Sequence, residues 1–96
     1  LVEILVDRFD APACADASPV ASMGKTGPEG SEVIRAYTAD AECLDSLVDG
    51  MTTIGFKKND AGVFAFQNSR GGSETVTIKR TPDRKSGGIE WEDINP

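Results

Sequence analysis

Histidine is absent from this chain, and cysteine occurs only twice, as Cys14 and Cys43. Histidine is the commonest general base and a leading metal ligand, so its absence removes most familiar active sites. Long apolar runs are missing as well. The greasiest stretch, Leu1 to Val6, already carries Glu3 and is far too short to cross a bilayer, so no membrane span is expected. There is no initiating methionine and no visible signal peptide. An opening of Leu1-Val2-Glu3 fits the removal of a leader, and together with the cysteine pair it favours a secreted, extracellular protein over a cytoplasmic one.

The 96 residues suit a single domain, 1–96, whose small core leaves little margin over conformational entropy. A bridge between Cys14 and Cys43 would add roughly 3 to 4 kcal/mol by closing a loop of about 30 residues. The alternative is two unrelated thiols, with Cys43 an ordinary core residue. Net charge is −6 and unevenly spread: residues 1–54 hold three cations against ten carboxylates, residues 55–96 seven against six. A net negative domain repels phosphate backbones, so nucleic acid is not an expected partner.

Leu1 to Phe9 is apolar and rich in β-branched residues, and is read as a core strand. From Asp10 to Ser31 the composition turns to Ala, Ser, Gly, Pro and Asp, with Pro12, Pro19, Gly24, Gly27, Pro28 and Gly30, and reads as one long loop, 10–31. Glu32 to Tyr37 alternates as a second strand. Thr38 is placed to cap a helix whose Leu44, Leu47, Val48 and Met51 recur at helical spacing, with Ile54 one turn on and Cys43 beside the stripe. Gly55 is placed to end it, although Gly50 offers an earlier stop. Four strand-like segments follow: Phe56 to Lys58, Val63 to Gln67, Glu74 to Arg80, and one around Ile89-Glu90-Trp91. They are separated by turns at 59–62 and 68–73 and a polar loop at 81–88. The expected fold is α+β, one main helix packed on an antiparallel sheet in the order β-β-α-β-β-β-β.

Sequences suggestive of chemistry fail on inspection. Gly24-Lys25-Thr26 resembles part of a phosphate-binding loop, but Pro19 stands where the first glycine is needed, and Gly27-Pro28-Glu29-Gly30 cannot start the required helix. Glu90, Glu92 and Asp93 match no calcium-loop spacing. Nothing sets two carboxylates in a cleft for glycoside hydrolysis, and Cys43 has no histidine to activate it. No enzyme activity, metal or cofactor is expected. Thr75, Thr77 and Lys79 form the wet side of a strand.

The layout, with a leading strand, a cysteine just after it, a second cysteine near a helix and a short meander, resembles small secreted fungal proteins of effector and killer-toxin-like types. That likeness implies an extracellular life and a protein or cell-surface partner. The acidic loop 10–31 and the helix carboxylates Asp40, Glu42, Asp45 and Asp49 would face a basic partner, because opposite charge steers encounter. The alternative reading is an intracellular or phage-encoded acidic inhibitor that masks a basic surface. For a Cys14–Cys43 bridge, Cys14→Ser and Cys43→Ser should each lower stability by about 3 kcal/mol, and the double variant by no more than either, in urea midpoints. Additive losses would instead mean two independent thiols.

Overall fold

In the computed structural model, which describes residues 2–96, the stripe of Leu44, Leu47 and Met51 is fully buried on one side of α1, Ala41–Ile54. The cap is Asp40, two residues beyond the expected Thr38. Its carboxylate accepts a 2.9 Å hydrogen bond from the Cys43 N–H and so satisfies one of the helix's free first-turn donors. Gly55 ends the helix at φ 107°, a left-handed conformation that costs glycine little. The helix runs through Gly50 without interruption. A Cβ at Gly50 would lie 1.8 Å from the Phe9 carbonyl oxygen, so the glycine lets another stretch of backbone touch the helix.

Six strands form one antiparallel sheet: β1 (Ser18–Gly27), β2 (Gly30–Asp40), β3 (Lys57–Lys58), β4 (Phe64–Gln67), β5 (Ser73–Arg80) and β6 (Ser86–Asn95). Their spatial order is β1-β2-β6-β5-β4-β3. The last four make a meander that returns β6 alongside β2, and β2 passes directly into α1 at Asp40. The fold is therefore α+β in the expected β-β-α-β-β-β-β order, but its first strand lies elsewhere than expected.

Residues 2–9 do not form a strand. Ile4–Arg8 is a short π-helical turn, with Leu5 and Phe9 buried one turn apart; Leu1, also assigned to that strand, lies outside the described residues. Val2, Leu5, Val6 and Phe9 follow helical spacing, which puts one apolar side against the core. The segment 10–31 is not one long loop either. It contains a 3-10 turn at Pro12–Cys14, then β1, then a two-residue connection, Pro28-Glu29, between the paired Gly27 and Gly30.

Register divides the sheet into two faces. Tyr37 pairs with Ile89, Ile89 with Ile78, Arg35 with Trp91, and Trp91 with Val76, all on the face that α1 and residues 2–17 cover. Ile34, Ala36, Thr75, Thr77, Lys79, Glu90 and Glu92 take the opposite, open face. Burial pushes the Tyr37 phenol above its usual range, partly offset by the Arg35 charge beside it.

The contact at Gly50 makes a prediction that runs against helix propensity. Alanine is the better helix former by about 1 kcal/mol. Gly50→Ala should nevertheless destabilise the domain by about 1 to 3 kcal/mol, because its methyl displaces the Phe9 backbone. Urea denaturation of the two proteins checks the sign.

Candidate functional site

The structure separates the roles of the helix carboxylates Asp40, Glu42, Asp45 and Asp49, the expected partner-binding residues. Glu42, Asp45 and Asp49 form a stripe opposite the buried face of α1, and the helix carries no cation. Asp40 is committed to the cap, and Asp45 accepts a 2.8 Å hydrogen bond from Arg80 Nη2. Among the described residues, Glu42 and Asp49 are left as exposed carboxylates without an ion pair. Further along the chain, Glu90 and Glu92 occupy the open face and Asp93 the covered one, so those three acids do not converge.

Cys14 and Cys43 are joined in a disulfide, their Cα atoms 4.5 Å apart and both residues buried. The bond ties the 3-10 turn to the first turn of α1. A second tie joins residues 2–17 to the sheet. Arg8 grips buried Glu74 through both Nε, at 2.9 Å, and Nη2, while Trp91 Nε1 donates to the same carboxylate at 3.0 Å. The guanidinium also stands 5.6 to 5.9 Å from the ring centroids of Phe9, Phe56 and Phe66. Its hydrogen bond to Glu74 holds Arg8 charged even beyond its ordinary range. Every polar group of the Glu74 carboxylate is thus used within the fold, which makes it structural.

Strand β1 differs from the rest of the sheet. It hydrogen-bonds to β2 on one side only, and all ten of its residues are exposed. Its other edge presents unpaired backbone N–H and C=O groups to solvent, a template for one more strand. Natural edge strands are commonly blunted by charge, proline or shortness; here Lys25 is the sole charge and Pro19 sits at one end. The register shifts between Pro19 and Ala21, leaving Val20 as the bulged residue. Val20 is 61% exposed and Met23 63%. Beside Val20 the open face dips into a trough of about 290 Å³, floored where Ala36 and Gly88 supply little or no side chain and walled by Thr77, Lys79 and Glu90.

Sequence reasoning missed this surface. A strand exposed on both faces needs no apolar alternation, so hydrophobic periodicity does not reveal it. The available signal was the pair of glycines with two residues between them, Gly27 and Gly30, between runs of similar length.

Comparison with known proteins gives no match: no family model fits the chain, and no curated protein or solved structure shows significant similarity to it. No helix among the described residues is long and apolar enough to cross a membrane.

Because Val20 and Met23 make so little buried contact, Val20→Lys and Met23→Lys together should change unfolding free energy by less than about 0.5 kcal/mol. A larger loss in a denaturant titration would show that these side chains are holding β1 in place.

Proposed function

We propose that this chain is a macromolecule-binding protein with no catalytic activity of its own, which takes up an extended segment of a protein partner as a seventh strand beside β1. The observation that carries this reading is the ten-residue edge, open along its whole length and nearly free of charge. Main-chain hydrogen bonds would supply affinity, and alternate side chains of the added strand would be read by Met23 and by the bulge at Val20. The open-face trough beside Val20 gives the partner a pocket for one projecting side chain.

The reading places the protein outside the cell. Its support is the Cys14–Cys43 bridge, since oxidising compartments preserve such bonds and the cytosol removes them. The likeness to small secreted fungal proteins adds no support, because the leading strand it rested on is a helical turn. A second reading, the acidic inhibitor of a basic target, is favoured by the cation-free helix with Glu42 and Asp49 exposed.

One comparison separates the two. The parent chain, the Val20→Lys/Met23→Lys variant and a Glu42→Lys/Asp49→Lys variant are used to capture a partner from extracts, and amide hydrogen exchange is followed in the complex. Strand addition predicts that the β1 variant loses the partner, that the helix variant keeps it, and that exchange slows within residues 18–27. Loss of the partner by the helix variant instead, with protection along 41–54 and weakening by salt, would replace the strand-addition reading with the inhibitor.

A further inference from the structure

A different part of the molecule carries chemistry that the edge strand does not use. Helix α1 packs over β2 and β6, and along its flank a gap is left between Val48 of the helix and Phe64 and Ile78 of the sheet. The result is a cleft of about 500 Å³, within the range of small-molecule sites. Its floor is apolar, made by Val48, Phe64 and Ile78, and its walls carry Lys58, Arg80 and Arg84. Three cations around one hollow stand out in a chain of net charge −6.

The state of each cation matters. The Lys58 ammonium stands 5.9 Å from the centroid of the Phe64 ring, at the edge of the apolar floor. Arg84 occupies a left-handed turn position at φ 62°, held by its N–H to the Thr81 carbonyl. Among the described residues, neither Lys58 nor Arg84 has a carboxylate within ion-pair distance. Arg80 is sunk in the wall, its side chain 19% exposed, and its carboxylate partner is Asp45, which reaches in from solvent at 72% exposure. An ion pair of that kind is worth little, because water screens the exposed carboxylate and holding two side chains in one geometry costs entropy. An incoming anion can therefore replace Asp45 on Arg80 at small cost, while gaining Lys58 and Arg84.

We propose that this cleft binds a small amphipathic anion: an apolar group seated on Val48, Phe64 and Ile78, carrying one oxyanion head held by Lys58, Arg80 and Arg84. Arginine's planar fork suits a two-oxygen contact with phosphate, sulfate or carboxylate, and lysine adds a point charge. The apolar floor excludes water from one side of the head and strengthens the charge contacts. Asp45 acts as the internal competitor for this site. The proposal is independent of the strand-addition reading, since no β1 residue lines the cleft.

The test is an amide NMR titration of the full chain with phenyl phosphate, hexyl phosphate, inorganic phosphate and benzyl alcohol. Saturable shifts are expected at Val48, Lys58, Gly62 and Arg84. At least one of the organic phosphates should bind about tenfold more tightly than inorganic phosphate or the neutral alcohol, and whichever is tighter identifies the tail as aryl or alkyl. Lys58→Ala with Arg84→Ala should weaken binding about tenfold or more. Asp45→Asn should tighten it severalfold, whereas Asp49→Asn, the same charge change elsewhere on the helix, should not. Both asparagine variants alter exposed side chains, so retained spectral dispersion will show that they fold. Absence of saturable shifts in the cleft, inorganic phosphate binding as tightly as both organic phosphates, or equal effects of the two asparagine variants would overturn the proposal.

Discussion

The Phe9 carbonyl rests on α1 where Gly50 has no side chain, and most of the covered layer is arranged around that contact. A single amphipathic helix is too narrow to cover six strands, so residues 2–17 have to supply the remainder of the layer. Leu5, Phe9, Ala11, Cys14 and Ala17 are the side chains with which they do so. Backbone laid against a helix loses the separation that side chains usually impose, and glycine at the crossing is the inexpensive solution. The disulfide secures this segment to α1 at Cys14, and Arg8 secures it to Glu74 on β5. The two ties act differently. The bridge limits the unfolded chain, whereas the Glu74 carboxylate would be a buried, unpaired charge if Arg8 moved away.

Much of this was legible from residue spacing. Helix α1 and strands β4 and β5 are buried on one side each, so their apolar residues recur with the period of the element and can be read directly. Residues 2–9 read as a strand because the β-branched Val2, Ile4 and Val6 alternate there, which outweighs the i, i+3, i+4, i+7 signal of Val2, Leu5, Val6 and Phe9. The cap moved from Thr38 to Asp40 because β2 continues pairing with β6 as far as Ser86 and hands over to the helix with no intervening loop. That continuation is a long-range pairing, invisible in the local sequence.

The candidate sites were less legible than the fold, for a physical reason. A surface poised to accept a partner strand is defined by backbone groups, and every residue but proline has the same ones. The flank cleft is likewise assembled from α1, the β3–β4 hairpin, β5 and the turn that follows it, parts of the chain that come together only on folding. The helix acids, by contrast, were conspicuous in the sequence and proved partly occupied, with one capping the helix and another paired to Arg80.

An open, nearly uncharged edge of ten residues carries a cost that the rest of the molecule must offset. Two copies meeting along β1 would find free donors and acceptors on both sides, with only Lys25 on each strand to oppose them. Protection against such pairing falls to the whole-molecule charge of −6, which acts through repulsion at a distance. This division has a functional sense. Charge placed on β1 itself would deter every incoming strand alike, whereas charge placed elsewhere, with Glu42 and Asp49 on the far side of the helix, repels other copies of the chain and still admits a neutral or basic segment. Under the strand-addition proposal, the acidity of the surface and the bareness of the edge become parts of one arrangement, in which long-range repulsion would discriminate between partners and the short-range backbone template would bind the one that arrives.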